Sequence, residues 1–379
     1  MRFVIFADKS YNYIKPISIG LHNTLTEMGH ESEIWYDGLY WLQDLNLTKM
    51  FFADILRFFK NAKAKNAKLY IYRWWNLLNF YTKKRKKSLR ECDCVIVVMN
   101  CPRAFDDNAL KRVEYIRDAY HKPVVNYDFH YLPNQAWWGR IKQFEKYKGL
   151  EKYDWYLPVG LITEFAVPES IPQIYDCIGM DVTSPDLYPE QTEFRVLLDF
   201  PRPGHEEQRK QEKRLLDRLG ILYYELNGRY TTNQIRAIYR RTSAYIVSSR
   251  ESFGLPIVEL QLCGAKILTP HKEWVPAHFL NKSPFENGYG DLGGNFIEYH
   301  DSEDLSAILI QLSQSFDPQG NLDLFKSDYP FYYKINKVAL DAFINRLLNG
   351  EVNSNTHISH KPYNELISED QDYESSDIQ

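Results

Sequence analysis

Apolar runs and charged amphipathic stretches alternate along the whole 379-residue chain. The run "RFVIFAD" has strand character, "PISIGLHNTLTEMGH" has helical spacing and "ESEIWY" returns to a strand, which makes a βαβ opening. "CDCVIVVMN" (92–100) predicts the next strand and "NALKRVEYIRDAY" a helix, with "KPVVNYDFH" (122–130) and "YDWYLPVG" (153–160) continuing the alternation. A Pro- and Asp-rich stretch, "IPQIYDCIGMDVTSPDLYPE" (171–190), then reads as a linker, after which the pattern restarts. "EFRVLLDFPRPG" is a strand into a loop, "EEQRKQEKRLLDRLG" a charged helix, "ILYYELNG" a strand, and "TTNQIRAIYRRT" a helix that Thr231 or Thr232 can cap.

Such alternation in both halves predicts α/β architecture with two doubly wound, Rossmann-like domains. The expected division is residues 1–185, 186–330, a helix over 331–350 that could pack back on the first domain, and an acidic disordered tail over 351–379. No repeat at solenoid periods is present.

The stretch "AYIVSSRESFGLPIVELQLCGAKILTP" predicts strand, loop, short helix, a Gly264 stop and another strand. Pro256 suits a first helical turn, where its missing N–H costs nothing. Glu251 falls in the loop and Glu259 about one turn inside the helix. Exposed N–H groups at such a helix start can hold an anion, and a carboxylate can accept two hydrogen bonds at once, as paired ribose hydroxyls would give. Alternatively, Glu259 complements the helix dipole and Glu251 caps its start.

Composition narrows the class. With 44% hydrophobic and 15% aromatic residues the chain can bury sizeable cores. Five cysteines without regular spacing give no disulfide framework and suggest a reducing compartment; Cys92 and Cys94 read as small core residues. No secretory segment or membrane-length apolar run precedes or interrupts the pattern, so a cytoplasmic protein, soluble or peripheral on the inner membrane face, is expected. The net charge of −4 hides an uneven distribution. Between Ile55 and Arg90 there are twelve Lys or Arg and no acid. Residues 58–87, where basic and aromatic positions interleave, read either as solvated helices with inward aromatics or as a surface that docks on anionic membrane. Nucleic acid as a partner is disfavoured by the acidic total and the lack of a nucleic-acid motif.

The string "SSRESFGLPIVELQLCGAKILTP" resembles the glutamate, seven residues, glutamate signature of the family-4 retaining glycosyltransferases, which have the two-domain GT-B fold. "NQIRAIYRRTSAYIVSS" resembles the helix and strand leading into that signature. "IYDCIGMDVTSPDLYP" resembles the family's Gly-x-Asp segment, and "GGNFIEYHDSEDLSAILIQL" the turn, strand and helix after the donor site. These pieces cover roughly residues 171–312. The resemblance implies that Glu259 grips a ribose, that Glu251 faces the donor sugar, and that amides around Phe253, Gly254 and Leu255 meet the diphosphate or the sugar. It also implies basic residues on the diphosphate. "DFPRPGHEEQRKQ" departs from the family's glycine-arginine arrangement, leaving Arg202 as first candidate and Arg209 or Lys210 as second, each of which could equally be a surface charge. "VVNYDFHYLP" resembles the strand ending in a His that touches the donor, which matches His130. The first loop, "DKSYNYIKP", lacks the family's glycines, so contacts there do not carry over.

The implied activity is metal-independent, retaining transfer of a sugar from a nucleotide-diphosphate donor to a glycan or lipid-linked acceptor, in surface polysaccharide or glycoconjugate synthesis. The nucleotide-sugar is a substrate, and no cofactor is expected. No Asp-x-Asp metal motif occurs outside the tail, and the ten histidines lack His-Glu-x-x-His spacing. No P-loop and no Gly-x-Ser-x-Gly is present. A sugar-nucleotide epimerase on the GT-B fold, or a non-catalytic carbohydrate- or membrane-binding protein, are the alternatives.

Overall fold

A computed structural model describes residues 1–7, 14–36, 83–98, 107–128, 153–159, 177–249, 251, 253–280 and 291–354. Two five-stranded parallel sheets organise them. The first contains β1 (Arg2–Ala7), β2 (Glu31–Trp35), β3 (Cys94–Val98), β4 (Val124–Asp128) and β5 (Trp155–Pro158), in the order β2-β1-β3-β4-β5. Helices α1 (Ile14–Glu27), α2 (Lys83–Glu91) and α3 (Asp107–Tyr120) accompany it. The second contains β6 (Arg195–Leu198), β7 (Leu222–Glu225), β8 (Ala244–Ile246), β9 (Lys266–Thr269) and β10 (Phe296–Glu298), in the order β10-β9-β8-β6-β7. Read from the other edge, that is the order of the first sheet. Helices α4 (Glu206–Leu219), α5 (Thr232–Tyr239), α6 (Leu255–Leu262), α7 (Ser302–Ser315) and α8 (Pro318–Asp328) belong to this half, and α9 (Lys337–Leu348) follows. This is the two-domain, Rossmann-like architecture of the GT-B fold.

The central strands are apolar without alternation. Val95, Ile96 and Val97 of β3, and Val196, Leu197 and Leu198 of β6, are wholly buried, as expected when helices cover both sheet faces. Local signals set the helix ends. Thr231 caps α5 in a reciprocal capping box with Gln234. Asp301 caps α7 through the N–H groups of Glu303 and Asp304. Gly220 closes α4 in the left-handed conformation. Gly264 takes the chain out of α6 at φ +81°, where a Cβ would lie 2.3 Å from the Pro318 carbonyl oxygen.

Residues 178–184 and 329–337 lace the two halves together. The Met180 N–H donates to Phe331 O (2.9 Å) and the Asn336 N–H to Ile178 O (2.8 Å). Tyr127, at the end of β4, donates its hydroxyl to Gly179 O at 2.8 Å. Helix α9 then reaches elements of the first half: Lys337 pairs with Glu27 at 2.8 Å, and the Arg346 guanidinium lies 5.6 Å from the Trp155 ring centroid. Beyond it, Arg117 donates to Ser354 O while pairing with buried Asp154 at 2.9 Å. The stretch 58–82 and the tail 355–379 lie outside the described residues. So the expectations of membrane docking and of a disordered tail find no description here, apart from Lys83–Lys87 at the start of α2. Among the described residues no helix is long and apolar enough to cross a membrane.

Gly179 sits at φ +65°, and a Cβ there would fall 2.1 Å from Phe331 O. Both the backbone conformation and the contact exclude a side chain. Gly179→Ala is expected to destabilise the protein by about 1–3 kcal/mol, the cost of overpacking with strain. Chemical denaturation measures it; wild-type stability in the variant would show that this crossing is loosely packed.

Candidate functional site

In both sheets the connections reverse direction, between β1 and β3 in the first and between β6 and β8 in the second. Ligands of doubly wound sheets lie at the carboxyl ends of the strands at such a point. In the first sheet the segments leaving β1 and β3, residues 8–13 and 99–106, are outside the described residues. So is His130, two residues beyond β4. In the second sheet most of the fork is described, residues 250 and 252 excepted. The loop after β6 supplies Asp199 and Arg202, and the loop after β8 supplies Glu251.

These three side chains converge. Arg202 Nη2 lies 3.7 Å from Asp199 Oδ2 and 3.8 Å from Glu251 Oε2. Tyr245, buried on β8, records the same crowding. Burial raises its phenol pKa well above the ordinary value, and the carboxylates of Asp199 and Glu251 add to that. Arg202 and Glu251 are partly exposed, at 45% and 37% of their side chains. Pairs so wet contribute at most about 1 kcal/mol, so an arriving ligand can displace them cheaply. Arg202 and Glu251, both expected at the donor, lie together, whereas Asp199 has no distinguishing signal in the sequence, being a single Asp after a strand.

Glu251 is held from its backbone, whose N–H donates to Trp274 O at 2.8 Å. Three residues on, Gly254 begins α6 at φ +61°. A Cβ at Gly254 would sit 2.7 Å from Glu251 Cγ and 3.0 Å from Ile257 Cδ1, so only glycine brings the backbone this close. Pro256 occupies the first turn of the helix, as expected. Among the described residues the N–H groups of Gly254 and Leu255 have no hydrogen-bond partner, while the Gly254 carbonyl accepts from Ile257 N–H. Phe253 itself is buried in the core. A helix start with open N–H groups beside a fork containing Arg202 suits an anion bearing hydroxyl groups.

Glu259 is buried on α6 and holds a partner that the sequence did not reveal. Arg236 on α5 donates both Nε (3.1 Å) and Nη2 (2.7 Å) to Glu259 Oε1, and its Nη1 donates to Ser184 Oγ at 2.9 Å. Burial pushes the Glu259 carboxyl above the usual carboxylate range, and Arg236 offsets part of that. The pair links α6, α5 and the segment between the halves. No one-dimensional signal separates Arg236 from Arg240 and Arg241, since all three lie on or just after one amphipathic helix; Arg240 binds Glu190 and the Asp186 carbonyl instead.

The second candidates for a diphosphate partner on α4 differ sharply. Lys210 is exposed and pairs with Glu207 at 3.3 Å on the same helix, the arrangement of a surface charge. Arg209 is buried, at 7% exposure, and its Nη1 and Nη2 have no hydrogen-bond partner among the described residues. Beside it, burial raises Glu212 to about 7, with a Gln208 hydrogen bond and the Arg209 charge opposing. Among the described residues no group of three or more His, Cys, Asp or Glu could hold a metal ion.

No family model matches the sequence, and no curated protein does. Solved structures share the chain path. An alpha-glucosyltransferase in complex with UDP-glucose and DNA containing an abasic site aligns over 92% of this chain and 99% of its own, at 12% identity and a TM-score of 0.47. UDP-GlcNAc 2-epimerase from Neisseria meningitidis, bound to UDP-GlcNAc, aligns over 92% and 100% at 11% identity and 0.47. CalG4, the calicheamicin glycosyltransferase, aligns over 91% and 99% at 11% identity and 0.44. These neighbours are glycosyltransferases and an epimerase; at such identities and scores they assign this chain no activity.

The Arg236–Glu259 pair separates a structural from a ligand-binding role. Glu259→Ala leaves a buried guanidinium without its carboxylate and is expected to cost about 3–5 kcal/mol of stability. Glu259→Gln keeps an acceptor for Arg236 and is expected to stay folded, yet to bind a nucleoside diphosphate more weakly by about 1–3 kcal/mol. Denaturation and calorimetric titration check the two; undiminished affinity in folded Glu259→Gln would leave Glu259 a purely structural residue.

Proposed function

We propose that the chain is a retaining, metal-independent glycosyltransferase of the family-4 type, moving a sugar from a nucleoside-diphosphate donor to a glycan or lipid-linked acceptor. The observation that carries this reading is the β6/β8 fork, where Arg202, Glu251 and the open N–H groups of Gly254 and Leu255 meet at the start of α6. In this reading the amides and Arg202 take charge from the departing diphosphate. Glu251 leaves Arg202 to accept sugar hydroxyls, and Glu259 meets the ribose with whatever acceptor capacity Arg236 leaves it. Arg209 is the second cation for the diphosphate, because its guanidinium is buried with its terminal nitrogens unbonded among the described residues. His130 and the acceptor-side loop complete the site from the first half. Holding donor and acceptor together supplies the remainder of the rate. No cofactor enters the reaction.

An epimerase would use the same donor groups without a separate acceptor. Incubating candidate donors with and without acceptor glycans or lipid-linked sugars distinguishes the two. The expected result is acceptor-dependent release of nucleoside diphosphate, a product anomer matching the donor by NMR, activity that survives EDTA, and loss of most activity in Glu251→Gln. Acceptor-independent interconversion would establish the epimerase, and an inverted product or EDTA-sensitive turnover would overturn the mechanism.

We also propose that residues 58–87 hold the protein on the cytoplasmic membrane face, where a lipid-linked acceptor would lie. One-sided charge supports it: no Asp or Glu occurs in this stretch, and each Lys or Arg near an anionic leaflet contributes about 1 kcal/mol. Sedimentation with phosphatidylglycerol vesicles is expected to pull the protein down at low salt and release it at high salt. Equal binding to neutral vesicles, or none, would remove membrane docking.

A further inference from the structure

His278 is wholly buried, directly beneath the Glu251–Gly254 loop. Its Nε2 lies 2.7 Å from the Phe253 carbonyl oxygen. A carbonyl only accepts, so Nε2 carries the proton and Nδ1, which has no hydrogen-bond partner among the described residues, does not. Burial lowers the imidazole pKa to about 4, partly offset by the Phe253 carbonyl, so the ring is neutral near pH 7. Aromatic rings fix it in place. Phe253 stacks on it at 5.5 Å, while Phe296, Tyr329 and Tyr332 approach at 4.9, 5.5 and 5.5 Å. The Tyr329 and Tyr332 hydroxyls in turn donate to the carbonyls of His278 and Ala277.

The bonded carbonyl belongs to the Phe253–Gly254 peptide, whose other polar group is the Gly254 N–H. A trans peptide is planar and its C=O and N–H point in opposite directions. Drawing the oxygen down onto His278 therefore turns the Gly254 N–H up, away from the aromatic cage. Glycine at 254 tolerates both planes of this peptide, the observed one at φ +61°, which a Cβ would penalise, and its reverse at negative φ, so the peptide is easy to flip. Something must hold it.

We propose that His278 is a positioning residue that locks the Phe253–Gly254 peptide, keeping the Gly254 N–H turned outward as an anion donor for the bound diphosphate. The lock rests on the nucleotide-sugar reading for its purpose, but its geometry can be tested apart from it. Because Tyr329 and Tyr332 stand in the segment that crosses between the halves, the lock also ties the donor loop to that crossing.

The test uses the full chain labelled with nitrogen-15 glycine, the Gly254 amide signal being assigned by its loss in Gly254→Ala. His278→Phe keeps a ring in the cage and removes the donor; His278→Gln keeps a donor at the position of Nε2. The Gly254 signal is expected to move in His278→Phe and return towards the wild-type position in His278→Gln. Affinity for whichever of UDP, GDP, ADP and CDP binds the wild type best should fall about tenfold in His278→Phe, the scale of one hydrogen bond, and recover in His278→Gln. If His278→Phe does not fold, His278→Asn, whose amide stops one bond short, takes its place. An unmoved Gly254 signal overturns the lock, and a moved signal with unchanged affinity overturns its positioning role. Failure of the wild type to bind any of the four overturns the nucleotide reading instead, while the amide signal still decides the lock.

Discussion

A parallel sheet whose connections reverse direction must leave a fork between two neighbouring strands, and no helix can bridge it. That constraint places the candidate site of this protein. In the second sheet the fork lies between β6 and β8, so the loops that follow these strands have to approach one another above it. Arg202 and Glu251 are more than forty positions apart in sequence, yet they meet there at 3.8 Å. The same fork exists between β1 and β3, and the repeated strand order means that both halves present loops by one rule.

Two ion pairs near the fork differ in kind. Arg202–Glu251 is long and wet, so its loss to a ligand costs little. Arg236–Glu259 is short, dry and bonded through two guanidinium nitrogens, with a third reaching Ser184. Breaking it strands a buried charge. The first pair is suited to exchange partners with a ligand, and the second to hold α5, α6 and the segment around Ser184 in one arrangement while it does so. Beneath them, the neutral His278 and its aromatic neighbours join the same loop to residues 329–332.

The strand and helix order was legible because each element carries its own periodicity: "RFVIFA" and "CVIVV" are continuous apolar runs, and "EEQRKQEKRLLDRL" buries only a narrow stripe. Turn and cap residues were legible for the same local reason, as with Thr231, Gly264 and Pro256. The site was legible only as far as one contiguous string reaches. Glu251 and Gly254 could be found because strand, loop and helix are adjacent in sequence. Arg236 and His278 could not, since their roles arise from contacts across 23 or more positions, and Asp199, only three residues from its partner Arg202, is a single Asp after a strand with no pattern to mark it. Lys210 and Arg209 show the limit plainly. Adjacent on one helix, they look alike in sequence, and only the helix's rotation sends one to water and the other into the interior.

The central claim is that a nucleoside diphosphate binds at the β6/β8 fork with its phosphates on the start of α6. A crystal structure of the complex with the best-binding nucleoside diphosphate tests this most directly. The expected density places a phosphate oxygen within hydrogen-bond distance of the Gly254 N–H and the Arg202 guanidinium, with Glu251 swung off Arg202. Density for the nucleotide at any other strand end, with the Arg202–Glu251 pair intact, would contradict it.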